Sequence, residues 1–160
     1  MMCDETKSTR IAAYLDGCCC APEDPSRLII YTDGSCSANG YVGAKAGAGI
    51  YFGPKDSRNA SFRVPGDQTN NRGEVYAIIQ ALRLTAEKSV PVEIRTDSKL
   101  TINCATKVYR AQANLDLYRE LWQRMDGRDI VFTWVKGHNK DPGNEAADKL
   151  AKAGAQMQDL

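Results

Sequence analysis

Four acidic residues occupy positions from which a folded chain could bring them together at one edge of a sheet. Asp33 ends an apolar, β-branched segment and Asp97 ends a second one, whereas Glu74 and Asp148 lie in two helical patterns. Carboxylates a few ångströms apart repel one another, and their pKa values rise unless a cation neutralises them. Hard oxygen ligands with no cysteine or paired histidine favour Mg²⁺ or Mn²⁺ over zinc. The four residues therefore predict a divalent-metal site.

A site of this kind is suited to phosphodiester hydrolysis with two ions, one generating the attacking hydroxide and one stabilising the leaving oxygen. Each carboxylate taken alone has a simpler explanation. Asp33 with Gly34 resembles a turn dipeptide, Asp97 with Ser98 a helix cap, Glu74 a partner of the helix dipole and Asp148 a solvated helix residue. The joint placement of all four favours the metal site.

The elements that must position these residues follow from the hydrophobic periodicity. Five strands are predicted at 28–32, 46–53, 60–64, 91–97 and 129–135. Helices are predicted after Asn70 or Asn71, from Ser98 to about residue 106, at 115–125 and at 145–155. We expect the first strand to end at Asp33 and the glycine after it to turn the chain away from the sheet.

This element order predicts an α/β fold with a mixed five-stranded sheet, three antiparallel strands followed by parallel strands, flanked by helices. A crossover helix joins parallel neighbours, so the fourth strand should pair with the first. Asp33 and Asp97 would then lie side by side, at the edge where open α/β sheets bind ligands.

Composition fits one soluble domain. The chain has 160 residues, of which 42% are hydrophobic and 26% charged, and its net charge of +1 neither excludes nor indicates nucleic acid. No apolar run is long enough for a membrane span, and no secretory signal is evident, so we expect an intracellular protein with reduced thiols. Residues 1–26 are expected to be a disordered leader, in which Cys18–Cys20 could alternatively form a redox or metal-scavenging tract, and residues 27–157 the folded domain.

Four motifs, in this order and spacing, resemble those of type 1 ribonuclease H. They are residues 31–35, 69–74, 96–98 and 134–138, followed by Asn144, Glu145 and Asp148. The resemblance implies an endonuclease that cuts the RNA strand of RNA–DNA hybrids and leaves 5′-phosphate and 3′-hydroxyl ends. It also implies two Mg²⁺ ions, with Mn²⁺ as a substitute, held by Asp33, Glu74, Asp97 and Asp148.

The same resemblance suggests further site residues. His138, the only histidine of the chain, matches a mobile-loop histidine that assists proton transfer and product release. Ser35, Cys36, Asn39, Asn70 and Asn71 match positions that contact RNA. Thr69 matches a residue that holds a phosphate of the DNA strand. Turn formation and helix capping are the alternative roles of the asparagines.

The chain departs from many relatives in two respects. A basic helix and loop with tryptophans is absent, since only residues 108–114 separate the two neighbouring helices, and Asp67 stands where many relatives have a basic residue. Both changes should weaken hybrid binding and its salt dependence. We expect a monomer that acts on RNA–DNA hybrid without membrane contact, with a reverse transcriptase or other polymerase as a candidate partner.

Two other functions fit the same fold. One is a catalytically silent module that binds hybrid or assists assembly, and the other is a transposase-like or resolvase-like nuclease that cuts DNA. A silent module has no physical reason to keep a repulsive carboxylate cluster, and the segments 69–74 and 136–138 favour the ribonuclease.

Overall fold

The computed structural model describes residues 10–15, 26–137 and 140–158. Its strands form one mixed sheet in the order β1-β6-β5-β2-β3-β4. The strands are β1 (Arg10–Tyr14), β2 (Leu28–Ser37), β3 (Lys45–Tyr51), β4 (Ala60–Arg63), β5 (Val92–Thr96) and β6 (Asp129–Trp134). The mixed α/β architecture is as predicted, but the sheet has six strands and not five.

The additional strand, β1, lies inside the segment that we expected to be a disordered leader. It pairs in parallel with β6, and the amide of Arg10 donates to the carbonyl of Arg128 at 2.9 Å. Ile11 packs against the main hydrophobic core. The expectation of disorder is therefore wrong for residues 10–14. The five residues, with two adjacent alanines in the middle, carry too weak a periodic signal for detection, and long-range pairing with β6 decides their conformation.

The antiparallel half of the sheet is a meander of β2, β3 and β4, as expected. In the parallel half, β5 pairs with both β2 and β6, which confirms the predicted neighbourhood of the first and fourth strands of the sequence pattern. The ends of β2 and β5 consequently lie at the same edge of the sheet.

Four helices cover the sheet: α1 (Asn70–Leu84), α2 (Lys99–Ala105), α3 (Leu115–Met125) and α4 (Pro142–Ala155). Helices α1 and α4 lie on opposite faces of β2 and β3. A Cβ added to Gly34 would lie 2.4 Å from the amide nitrogen of Glu74 on α1. A Cβ added to Gly49 would lie 2.3 Å from the carbonyl oxygen of Ala147 on α4. Glycine is thus required where the helix backbones approach the strands.

The main core lies between the sheet and helices α1 and α3. Its fully buried members are large aliphatic and aromatic side chains, including Ile30, Ile78, Ile94, Leu121 and Phe132. Within the described part of the chain, no helix is long and apolar enough to cross a membrane.

Candidate active site

Asp33 lies within β2 and not at its end. The strand continues through Gly34 to Ser37, so the predicted glycine turn after Asp33 is wrong. Gly34 is needed for another reason, since the backbones of Gly73 and Glu74 pack directly against it. Asp33 is only 4% exposed, and its Oδ1 accepts a hydrogen bond from the amide of Gly34 at 3.0 Å. The sequence thus identified Asp33 and Gly34 correctly as part of the site, but Gly34 makes room for α1 and does not form a turn.

Glu74 reaches the same place from α1. This helix is capped by Thr69, whose hydroxyl accepts from the amide of Arg72 at 3.1 Å, and not by Asn70 or Asn71 as predicted. Since the helix begins at Asn70, Glu74 lies just beyond its first turn. The Glu74 side chain is buried, and the Thr96 hydroxyl donates to its Oε2 at 3.4 Å.

Asp97 follows the last residue of β5. As predicted, Ser98 then caps α2, and its hydroxyl accepts from the amide of Thr101 at 3.2 Å. Because β2 and β5 are parallel neighbours, Asp97 comes to lie beside Asp33. Asp33, Glu74 and Asp97 each offer one carboxylate oxygen, and these three oxygens lie within 4.8 Å of one another.

Asp148 on α4 lines the same cleft but does not belong to this three-carboxylate group. Its Oδ2 accepts from the Nζ of Lys152, one helical turn away, at 3.0 Å. Its carboxyl is nevertheless near enough to Asp33 to contribute to the raised pKa of that residue. The structure therefore brings all four predicted carboxylates to one cleft, with Asp148 at its border and paired to a lysine.

Burial and mutual repulsion dominate the electrostatics of the site. Burial, followed by the charge of Asp97, raises the pKa of Asp33 to about 8. Burial also raises the pKa of Glu74 well above its ordinary value, with Asp33 and Asp97 as further causes. A bound cation would relieve both effects. The donor set is oxygen only, and it therefore fits a hard divalent ion such as Mg²⁺ or Mn²⁺.

The carboxylates lie in an open, polar cleft of about 740 Å³. Four of the predicted substrate-binding residues line it: Ser35, Cys36, Asn70 and Asn71. Asn39 lies next to the cleft, where its Oδ1 accepts from the amide of Asn70 at 3.2 Å. Thr69 caps α1 immediately before these asparagines. The six residues thus lie in or beside the cleft, and their contacts with a substrate remain predictions.

His138 lies outside the described residues. The chain leading to it passes close to the carboxylates, since a Cβ added to Gly137 would lie 3.0 Å from Oδ2 of Asp97. The segment therefore leaves β6 at the cleft. The catalytic role of His138 stays a prediction.

The sequence predicted no role for three residues in or near the site. Asn144 is 5% exposed and lines the cleft, and its Oδ1 has no hydrogen-bond partner among the described residues. Lys152 neutralises Asp148, which the four-residue spacing on one helix could have suggested. Arg72 is buried, bonds to Asp116 at 2.8 Å and donates to the carbonyl of Pro65 at 2.6 Å. These last contacts hold the start of α1 against α3, and no local sequence signal predicts them.

A comparison with family models matches residues 24–156 to the RNase H family. The chain is 37% identical to ribonuclease H1 of mouse in an alignment of 144 positions that covers 81% of this chain and 50% of that protein. It thus spans about half the length of the first curated relatives that it matches. It is also 37% identical to ribonuclease H of Rickettsia canadensis in an alignment of 147 positions that covers 84% of this chain and 92% of that protein.

Among solved structures, the fold is similar to that of LC11-RNase H1 in complex with an RNA/DNA hybrid. The TM-score is 0.63 and the identity 24%, with 79% of this chain and 95% of the other covered. At this identity the likeness concerns the fold alone.

Proposed function

This chain belongs to the ribonuclease H family, and we propose that it is a divalent-metal-dependent endonuclease that hydrolyses the RNA strand of RNA–DNA hybrids. The products would carry 5′-phosphate and 3′-hydroxyl ends. One observation carries the proposal: the oxygens of Asp33, Glu74 and Asp97 lie within 4.8 Å of one another in an open cleft. LC11-RNase H1, which shares the fold, has been captured with such a hybrid.

Asp33, Glu74 and Asp97 would hold Mg²⁺, and Asp148 would complete the ligand set for two ions after release from Lys152. When bound, the two cations supply Lewis-acid chemistry on the two sides of the scissile phosphodiester. Mn²⁺ offers the same preference for oxygen ligands. The protein contributes the positions of the ligands. Strand β2, helix α1 and the end of β5 would hold the three carboxylates, two of them buried, in place before substrate arrives.

Recognition of RNA would come from short polar groups beside the cleft. Ser35, Cys36, Asn70 and Asn71 line the cleft, and Asn39 lies against Asn70. Groups of this size suit the wide minor groove of an RNA-containing duplex, where 2′-hydroxyls are displayed. Thr69 would hold a phosphate of the DNA strand. Its hydroxyl oxygen accepts from the amide of Arg72 as the cap of α1, and its O–H would donate to the phosphate.

His138 would assist proton transfer and product release, as its match to the family's mobile-loop histidine implies. The α2–α3 connection, residues 106–114, carries no basic helix. Affinity for hybrid would therefore have to come from other surfaces or from a partner polymerase. We infer that the isolated domain acts as a monomer.

Cleavage assays on three labelled duplexes test the function. The protein is incubated with RNA–DNA hybrid, duplex RNA and duplex DNA, each with Mg²⁺ and with EDTA. Cleavage of the RNA strand of the hybrid alone, only with metal, is expected. A hybrid left intact under Mg²⁺ and Mn²⁺ would refute the enzyme and favour the silent module, and cleavage of duplex DNA would favour the transposase-like nuclease.

A further inference from the structure

The loop between β2 and β3, residues 38–44, carries an exposed apolar pair. Tyr41 is 78% exposed and Val42 is fully exposed. Single exposed apolar side chains are ordinary in soluble proteins. Two consecutive ones at the tip of a hairpin, beside a substrate cleft, form a surface that water solvates poorly.

The backbone of this tip is ordered by its own hydrogen bonds. The amide of Tyr41 donates to the carbonyl of Ala38 at 2.9 Å, and the amide of Ala44 donates to the carbonyl of Tyr41 at 3.2 Å. Ala38, Gly40 and Gly43 have φ values of 55°, 85° and 86°, which reverse the chain twice within the loop. The two side chains are thus presented on a preorganised backbone, which lowers the entropic cost of using them as contacts.

The tip borders the cleft. The side chain of Asn39 accepts from the amide of Asn70, which lines the cleft. Tyr41 follows Asn39 by two residues, so their Cα atoms are at most about 7 Å apart. Ser35 and Cys36, on the strand that leads into the loop, line the cleft as well.

The charges around the tip favour a polyanion such as a nucleic acid as its partner. The sequence from Gly34 to Lys55 contains no acidic residue, and its only charged side chains are Lys45 and Lys55. The cleft, in contrast, contains four carboxylates, which repel a polyanion wherever bound cations do not neutralise them. A duplex that enters the cleft must therefore gain affinity beside it, and an apolar contact supplies affinity that salt does not screen.

We propose that the Tyr41–Val42 tip is a second, non-ionic contact for the RNA–DNA hybrid, in which the Tyr41 ring packs against the sugars of the strand that leaves the cleft. Val42 extends the same contact along the minor-groove edge. This inference rests on the proposed function, since it takes the hybrid as the occupant. A Tyr side chain suits the role because it offers a large amphipathic surface at low entropic cost.

The test measures hybrid binding apart from cleavage. In the Asp33→Asn background, the dissociation constant of a fluorescein-labelled hybrid is measured by anisotropy at 50 mM and at 200 mM salt. Adding Tyr41→Ser should weaken binding about five- to tenfold, the loss expected for a partly buried aromatic contact. The factor should be the same at both salt concentrations, because no charge is removed.

Three further variants make the result specific. Tyr41→Phe keeps the ring and should bind within about twofold of the parent, and Val42→Ser should weaken binding in the same salt-independent way. Met157→Ser removes another exposed apolar side chain, after the end of α4, and should have no effect. In the active protein, Tyr41→Ser should raise KM and leave kcat unchanged.

Unchanged affinity of Tyr41→Ser would overturn the proposal and leave the tip to a protein partner. An equal loss of hybrid affinity in Met157→Ser would overturn it too. So would a loss of affinity in Tyr41→Ser that is seen only at 50 mM salt. The proposed function fails separately, if the wild-type protein binds hybrid without cutting it.

Discussion

Asp33 illustrates, at the scale of one residue, the conflict between burial and charge. Burial and the neighbouring Asp97 raise its pKa to about 8, so without metal the folded protein keeps a proton that the unfolded chain releases above about pH 4. The free energy of unfolding of the metal-free protein should then fall as the pH rises from about 4 to about 8, because in this range the unfolded state binds fewer protons than the folded state.

Asp33→Asn should abolish cleavage and stabilise the metal-free protein. The asparagine side chain has no negative charge, so it is a weaker metal ligand and is not repelled by Asp97. In EDTA at pH 8 we expect a gain of about 1–3 kcal/mol in the free energy of unfolding, and almost none at pH 4. Urea denaturation at both pH values measures the difference. Added Mg²⁺ should raise the stability of the wild-type protein more than that of the variant. Retained cleavage, or loss of the folded circular-dichroism signal, would contradict the role of Asp33.

His138→Ala tests the histidine assigned by resemblance. If this side chain assists proton transfer and product release, the variant should keep its fold and its metal dependence but turn over about 10- to 100-fold more slowly. A pH–rate profile measured alongside should lose one inflection. Wild-type rates across the pH range would show that the histidine has no such role.

At the scale of elements, the placement of Glu74 depends on how closely α1 approaches β2. Gly34 provides the room, because a Cβ there would lie 2.4 Å from the amide nitrogen of Glu74. The helix backbone, and not the Glu74 rotamer alone, thus sets the distance from Glu74 to Asp33.

Gly34→Ala should therefore disturb both stability and metal binding. The clash involves backbone on both sides, so we expect a loss of about 3 kcal/mol in the free energy of unfolding and weaker binding of Mn²⁺ in calorimetry. Gly127→Ala is the matched control, since its Cβ would meet nothing within 4 Å and only its φ of 76° is unfavourable. That variant should lose about 1 kcal/mol and bind Mn²⁺ normally. Equal metal affinity in both variants would show that the approach of α1 does not control the site.

The elements also show what the sequence could and could not predict. Alternation and helical spacing located five strands and four helices, and the crossover rule placed Asp33 beside Asp97. The continuation of β2 through Gly34 was missed because it depends on how α1 packs against β2. The cap at Thr69 is local, and Thr is itself a favoured capping residue, so the sequence did carry that signal. The pairing of β1 with β6 was missed because it joins segments more than 100 residues apart.

At the scale of the whole molecule, β1 is the edge strand of the described sheet and covers β6. Without it, the edge of β6 would expose unpaired backbone groups beside Ile130, Val131 and Phe132. Exposed apolar edges of this kind pair with other chains and promote aggregation.

Removal of residues 1–26 should therefore lower the melting temperature by about 3–6 °C and increase aggregation in light scattering. Cleavage by the monomeric fraction should persist, because two strands separate β1 from β2 and Asp33. Removal of residues 1–9 keeps β1 and serves as the control. We expect this variant to melt at the same temperature as the full chain. Equal melting temperatures for both truncations would show that β1 contributes nothing to the folded domain.

The close contact of α1 with β2 at Gly34, and of α4 with β3 at Gly49, has a consequence for how this chain tolerates change. Helix α1, the sheet and helix α4 touch through their backbones at these two glycines. The spacing between the three layers is therefore set there by backbone contact and not by the volume of the core side chains. Exchanges such as Ile78→Val or Leu121→Met should leave the carboxylates in place, whereas any side chain at either glycine would separate the layers. Substitutions of core side chains can therefore accumulate in this protein while the arrangement of Asp33, Glu74 and Asp97 is kept.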